Sequence, residues 1–370
     1  MSSQDVQAPP QVRPGQLEYS APELLSSHAY EEPLIAGGVR CHGGFIGGQY
    51  VSPLTLVRDP AIHAWKQRLL DEGNPILYVP REYIPPNYPS YPQAKLLLQE
   101  GIQAPVTRAL TIISIVEGFG ARIRDVPTPD FHAELVEDIG GTAIAHLRGG
   151  LFEAHARDEA GWRDEGGHKQ MWEAARDLGL AKPEIPGDVL MQLMTGGARR
   201  GPQARLFPEL SERMELILAV MANVMVIEIF AQDVFGWAKQ LLGDPEVSAN
   251  QQGAAAMVAN IESDELPHVE YLRTALSEIR ARTLRCDEGR STIPGQVVID
   301  RIFERQLRGL ASARPQEQRA QTREEIHREL AQRPNATELS RRFESLDAGW
   351  VFPKGESEEL GLILRTASAA

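Results

Sequence analysis

The chain has 370 residues, 42% of them hydrophobic, which is enough apolar material for one large domain or two modest ones. Its formal net charge of −13 argues against a nucleic-acid backbone as partner, because phosphates would be repelled. No charge-free apolar run is long enough to span a bilayer, and the proline-rich start lacks the plan of a signal peptide, so we expect a cytoplasmic protein without a membrane span.

Residues 1–91 are predicted to form an irregular N-terminal arm that partly wraps over the core. The segment is rich in proline, and the glycine-rich run that follows Cys41 and His42 is typical of a turn. A short helix is predicted over 61–72, and the proline-rich tract 83–92 is expected to be an ordered surface loop.

Residues 92–283 show helical periodicity and are predicted to form the central domain. The helices are predicted over 92–101, 104–124, 129–148, 151–179, 186–195, 208–242 and 249–283. The long connection between 151–179 and 208–242 suits a four-helix bundle built from two helix pairs and one crossover. The sequence therefore predicts an all-α fold.

Two motifs of the form Asp-Glu-x-x-His lie in separate predicted helices. They are Asp164-Glu165-Gly-Gly-His168 and Asp264-Glu265-Leu-Pro-His268. Residues three apart lie on one face of a helix, so each motif would present a carboxylate and an imidazole in the same direction. The second motif also interrupts an apolar stripe, where a carboxylate is costly unless a cation or hydrogen-bond donors accompany it. Glu-x-x-His on an inward face is how helical bundles present two ligands to one metal.

Two lone glutamates interrupt apolar helices in the same way. Glu117 shares a helix face with Ile113, and Glu228 shares one with Met225. Either residue alone is also explained by a buried arginine or by backbone donors. The whole set of buried acidic residues favours a metal site.

Residues 284–370 are predicted to form a C-terminal extension. Its Arg-rich amphipathic helices are predicted near 293–312, 315–332 and 336–346, and a last short helix is predicted around 358–363. No repeat of solenoid length is present in the chain.

With these residues the central domain resembles the ferritin-like superfamily of carboxylate-bridged di-iron proteins, over about residues 104–283. In that family each helix pair provides a lone Glu and then a Glu-x-x-His. The corresponding residues here are Glu117, Glu165 and His168, followed by Glu228, Glu265 and His268. The resemblance implies a ferritin-like four-helix bundle that binds two iron or manganese ions, with Glu165 and Glu265 bridging the ions.

The resemblance and the apolar ligand faces favour an oxidase or oxygenase that acts with O2 on an apolar or aromatic small molecule. A homodimer is compatible with this hypothesis. One alternative is a non-catalytic helical protein whose buried glutamates pair with Arg108, Arg122, Arg163 or Arg273. A further alternative is a metal protein of the same fold that handles peroxide or iron.

Other polar residues near the motifs are given a structural interpretation first. His155 and Glu159 form an i, i+4 pair, a spacing at which side chains often meet on a helix without further function. Asp164 and Asp264 are explained equally well as surface charges or as hydrogen-bond acceptors for a ligand histidine.

Overall fold

The computed structural model describes residues 12–187, 189, 204–310 and 312–351. Within these ranges the chain is mostly helical, with a few short strands. The predicted helix over 186–195 lies mostly outside the described residues, and the one around 358–363 lies entirely outside them.

The N-terminal arm contains an antiparallel sheet where the sequence analysis expected irregular chain. Its strands are β1 (Glu32–Ala36), β2 (Val39–Ile46) and β3 (Gln49–Val51), hydrogen-bonded in the order β1-β2-β3. Gly37-Gly38 and Gly47-Gly48 connect the strands, and all four glycines have positive φ, as two-residue hairpin turns require. The prediction of an irregular arm is therefore wrong for residues 32–51.

The helices follow one another along the rest of the chain. In order they are α1 (Ala21–Leu24), α2 (Thr55–Asp71), α3 (Tyr91–Gln99), α4 (Ala104–Gly120), α5 (Phe131–Glu134), α6 (Phe152–Ala160), α7 (His168–Gly179), α8 (Glu212–Leu242), α9 (Gln251–Arg280), α10 (Gly295–Leu310), α11 (Ala313–Leu330) and α12 (Ala336–Ser345). A hairpin of β4 (Thr283–Cys286) and β5 (Ser291–Pro294) separates α9 from α10. Three of these helices have a side-chain N-cap: Ser90 caps α3, Ser211 caps α8 and Asn250 caps α9. Each side chain accepts a hydrogen bond from a backbone N–H of the first turn.

The predicted helix over 129–148 is mostly loop. It contains α5, a 3-10 turn at Ile144–His146 and the start of a π-type turn at Leu147–Leu151. Gly141 has a φ of 65°, a conformation that cannot continue a right-handed helix. The helical periodicity of this segment was therefore misleading.

The predicted helix over 151–179 is two helices, α6 and α7. Gly161 ends α6 with a φ of 80°, and a Cβ at this position would lie 2.1 Å from the carbonyl oxygen of Glu165. The residues that follow form a tight turn, in which Trp162 and Glu165 exchange two backbone hydrogen bonds of 3.1 and 3.0 Å. This turn reorients the chain before α7 begins at His168.

The long helix α9 lies at the centre of the packing, against α2, α7, α8 and α10. Helix α4 packs against α6 and α7, and the N-terminal sheet packs against α7. Leu97, Ile326 and Phe343 join α3 to α11 and α12 in a smaller apolar cluster. Helices α4, α6, α7, α8 and α9 thus come together at one place in the interior.

Helix α8 is the one helix among the described residues that is long and apolar enough to cross a membrane. In its most apolar window 61% of the residues are buried inside the protein. Because the core helix of a soluble protein passes the same test, this is weak evidence for a membrane span.

Candidate metal centre

Carboxylates and imidazoles from five helices meet in the interior. They are Glu117 from α4, His155 and Glu159 from α6, His168 from α7, Glu228 from α8, and Glu265 and His268 from α9. We call these seven side chains the acidic cluster. The i, i+4 spacing of His155 and Glu159 and the i, i+3 spacing of Glu265 and His268 bring both members of each pair to one helix face.

The acidic cluster contains two groups of side chains that could each hold a metal ion. Glu117, Glu159, His168 and Glu265 form one group, and His155, Glu159, Glu228 and His268 form the other. Within each group the ligand-type atoms all lie within 4.8 Å of one another. Glu159 belongs to both groups, so the two positions are adjacent.

Each imidazole directs one ring nitrogen towards the carboxylates. His168 Nδ1 lies 2.7 Å from Glu265 Oε1 and 3.6 Å from Glu117 Oε2. His268 Nδ1 lies 2.6 Å from Glu265 Oε2. His155 Nε2 lies 3.6 Å from Glu159 Oε1, and it lies 3.5 Å from a carboxylate oxygen of Glu228.

Four of these inward atoms are buried without a hydrogen-bond partner among the described residues. They are His155 Nε2, His168 Nδ1, Glu159 Oε2 and Glu265 Oε1. His168 Nδ1 and Glu265 Oε1 are close, but they are not aligned as donor and acceptor. A buried polar atom without a partner costs roughly 1–3 kcal/mol, and a cation among these lone pairs would remove that cost. The donor set therefore fits a metal ion.

In the metal-free cluster the pKa values of two carboxyl groups, those of Glu117 and Glu228, are raised. Burial, followed by the negative charges of Glu265 and Glu159, raises the pKa of Glu228 well above its ordinary value. Burial likewise raises the pKa of Glu117 to about 8. For Glu265, burial acts in the same direction, but the charges of His268 and His168 outweigh it and lower its pKa. The negative charges of neighbouring carboxylates thus favour the protonated forms of Glu117 and Glu228, and a bound cation would replace these protons.

A chain of charged groups supports His268 from outside. Its Nε2 lies 3.0 Å from Asp158 Oδ2, and the same oxygen accepts a 2.6 Å hydrogen bond from Arg58 Nη1. Burial would raise the pKa of Asp158, but the positive charges of Arg58 and His268 hold it below its ordinary value. Carboxylates that bind the far nitrogen of a ligand imidazole fix its orientation and raise its basicity.

The other two imidazoles also face polar groups on this side, and one of them is hydrogen-bonded. His168 Nε2 lies 3.4 Å from Asp264 Oδ2, which accepts a 2.8 Å hydrogen bond from the hydroxyl of Tyr50. His155 Nδ1 lies 3.1 Å from the hydroxyl of Tyr271. Hydrogen bonds thus hold His268 and His155 on the side away from the glutamates, whereas His168 Nε2 lies close to Asp264 without a hydrogen bond.

The structure brings five of the six sequence-predicted ligands together and leaves one outside. Glu117, His168, Glu228, Glu265 and His268 belong to the acidic cluster. Glu165 lies in the turn before α7, where its carboxylate is 28% exposed and 3.1 Å from Arg40 Nε. Because the chain turns after Gly161, Glu165 and His168 do not share a helix face. The prediction that Glu165 and His168 lie on one helix is therefore wrong. Glu165 lies outside the acidic cluster, which contains Glu159 instead.

The sequence analysis missed two further groups of residues. The i, i+4 pair of His155 and Glu159 was the available signal, and it was interpreted as structural. The second group comes from the N-terminal segment and consists of Arg58, Tyr50 and His42. No local sequence pattern connects these residues with the helices that carry the acidic cluster.

The arginines considered as alternative partners of the glutamates make contacts elsewhere. Arg108 pairs with Glu325, and Arg273 pairs with Glu270. Arg122 lies over the ring of Phe119, and Arg163 lies near that of Trp162.

Two side chains of the acidic cluster are less enclosed than the other five. The side chains of Glu117 and Glu228 are 10% and 8% exposed, whereas those of the other five residues are exposed by 2% or less. Both belong to the helices without a ligand histidine, α4 and α8. Ile113, one turn before Glu117, and Val224, one turn before Glu228, are partly buried hydrophobic neighbours.

No protein-family model, no curated protein and no solved structure matches this chain, so the interpretation of the site depends on its geometry.

Proposed function

We propose that this protein is a di-iron or di-manganese oxidase or oxygenase with a ferritin-like arrangement of its bundle helices. It would act with O2 on an apolar or aromatic small molecule. The observation that carries the proposal is the convergence of the acidic cluster around buried ligand atoms that lack partners.

The charge of the site supports two divalent ions. The four glutamates of the cluster carry four negative charges when ionised, which two divalent cations would balance. The neighbouring Asp158 is already compensated by Arg58. Glu159 is shared between the two ligand groups, which suits a bridging carboxylate. Oxygen and imidazole ligands are those that iron and manganese accept in proteins.

The surroundings assign different tasks to the residues of the site. Asp158 and Tyr271 hold His268 and His155 in position through hydrogen bonds, and Asp264 lies 3.4 Å from His168 Nε2, so little reorganisation is needed when ions bind. A bound pair of reduced ions would supply the electrons that activate O2. The two less enclosed carboxylates, Glu117 and Glu228, have Ile113 and Val224 one helical turn before them, which supports an apolar substrate next to the cluster.

Metal analysis of the aerobically purified protein tests the proposal. Protein from iron-supplemented culture is expected to contain about two metal ions per chain, as di-metal helical bundles do. A chain that stays free of iron and manganese under these conditions contradicts the proposal. Where metal is present, consumption of O2 with an apolar substrate separates an oxygenase from a protein that only handles peroxide or iron.

A further inference from the structure

A cavity of about 340 Å³ lies between the N-terminal sheet and the turn that precedes α7. Its polar lining comes mainly from Ser27, His28, Tyr30, Arg40, His42 and Glu165. The cavity is on the imidazole side of the metal centre, where the rings of His42 and His168 lie 6.0 Å apart. Neither Glu117 nor Glu228 lines this cavity.

One positive and one negative side chain face each other at this cavity. Arg40 Nε lies 3.1 Å from Glu165 Oε1, and the two side chains are 62% and 28% exposed. Such an exposed ion pair contributes little to stability, so its partners can be exchanged for ligand groups at low cost. Beyond this contact, neither side chain has a hydrogen-bond partner among the residues that the structure describes.

The rest of the lining offers further polar groups. The imidazole of His28 has no hydrogen-bond partner within the described part of the chain. The imidazole of His42 is used elsewhere, since its Nδ1 lies 2.8 Å from the carbonyl oxygen of Gly166 and its Nε2 lies 3.6 Å from the buried Asp158. The hydroxyl of Tyr30 donates to the carbonyl of Ser52, which leaves its lone pairs available as acceptors. The cavity thus combines polar groups with one full charge of each sign.

We propose that this cavity binds a small zwitterion, namely a free α-amino acid. The ligand carboxylate would bind the terminal nitrogens of Arg40, whose planar fork matches a carboxylate. Its ammonium group would bind Glu165. A simple carboxylic acid would leave Glu165 facing a second negative charge, and a simple amine would leave Arg40 facing a second positive one. This site goes beyond the proposed oxidase function, because neither Arg40 nor Glu165 belongs to the acidic cluster.

Titration calorimetry of the metal-free full-length protein with each of the twenty common L-amino acids tests the proposal. At least one amino acid is expected to bind, and its matched analogues without the amino group or without the carboxylate are expected to bind at least about tenfold more weakly, because each loses one charge-assisted contact. For L-leucine these analogues are 4-methylpentanoate and 3-methylbutylamine. If none of the twenty binds at 10 mM, or if an analogue binds as tightly as its parent, the proposal is overturned. Since no metal is present, this result does not depend on the proposed function.

Variants locate the binding. Arg40→Gln and Glu165→Gln are each expected to weaken binding by about tenfold, the loss of one charged hydrogen bond. Arg341→Gln and Glu338→Gln alter an exposed ion pair on α12 and serve as matched controls that leave the affinity unchanged. Equal affinity in Arg40→Gln and the wild type, with circular dichroism showing that both are folded, would place the ligand elsewhere and reject this site.

Discussion

At the scale of single residues, the exchange of Glu165 for Glu159 shows what helical spacing can and cannot predict. Glu265 and His268 share a face because α9 is continuous through both residues. Glu165 and His168 have the same spacing, but the helix begins only at His168. Spacing identifies a ligand pair only where the backbone between its members is helical, and Gly161 was the local sign that it is not.

This difference gives a direct test of the ligand set. Glu159→Ala removes a carboxylate that belongs to both ligand groups, so we expect metal affinity to fall by more than the roughly 10–100-fold that loss of an outer partner causes. Glu165→Ala removes a half-exposed carboxylate of similar chemistry and is expected to retain its metal. Metal content per chain, measured on both variants after gel filtration, checks this. Retention in Glu159→Ala together with loss in Glu165→Ala would restore the motif predicted from the sequence.

Glu278 gives a prediction about stability and pH that is independent of the metal centre. Its buried carboxylate accepts hydrogen bonds from the backbone N–H groups of Ala143 and Ile144, both 3.1 Å long. Burial outweighs these bonds and raises its pKa from 4.5 to about 7. Because the folded pKa is higher than the unfolded one, the contribution of this group is fully present below pH 4.5 and is lost as the pH rises through 7.

We therefore expect the free energy of unfolding of the wild type to fall between pH 4.5 and 7 relative to that of Glu278→Gln, which cannot ionise. Over this pH range, the wild type is expected to lose on the order of 3 kcal/mol more of its free energy of unfolding than the variant does. Urea unfolding of both proteins at a series of pH values measures it, and taking the difference cancels the titration of all other groups. Parallel curves for the two proteins would show that Glu278 ionises normally in the folded state.

At the scale of secondary-structure elements, sequence periodicity predicted the long helices and failed where glycines redirect the chain. The predicted helices over 208–242 and 249–283 correspond to α8 and α9, which have long apolar faces and polar N-caps. The N-terminal sheet was missed because its strands are short and contain glycine and proline, although two Gly-Gly pairs marked the hairpin turns. Strand pairing depends on contacts between neighbouring segments, which a single segment does not reveal.

The turn between α6 and α7 is expected to depend on Gly161. Gly161→Ala would force a side chain into a backbone conformation (φ 80°, ψ −179°) that is essentially restricted to glycine, at a cost of about 1–3 kcal/mol, and the clash with the Glu165 carbonyl adds to that cost. Gly236→Ala is the matched control, because this helical glycine in α8 has open space at its Cβ position, and alanine there is expected to be neutral or stabilising by about 0.5–1 kcal/mol. Chemical denaturation of the two variants measures both effects. Equal stabilities would mean that the turn can adopt another conformation.

At the scale of the whole molecule, the N-terminal segment contributes residues to the surroundings of the acidic cluster. Arg58 compensates Asp158, and Tyr50 binds Asp264, so the carboxylates that lie next to His268 and His168 depend on residues 100 and 214 positions away in the sequence. The segment also packs its sheet on α7, and the backbone of His42 donates to the carbonyl of Gly166. Folding of the helices that carry the acidic cluster and folding of the N-terminal segment are therefore coupled through these contacts.

Because the folded chain forms the ligand groups and the unfolded chain does not, metal ions should stabilise the whole molecule. Manganese(II), added to metal-free protein at a thousand times its dissociation constant, is expected to raise the free energy of unfolding by about 4 kcal/mol. Glu228→Ala, which lacks a ligand of one group, should lose a large part of this effect, whereas Glu165→Ala should retain it. Differential scanning calorimetry with and without manganese measures the shift for all three proteins. An equal shift in Glu228→Ala and the wild type would mean that the stabilising ion binds outside the acidic cluster.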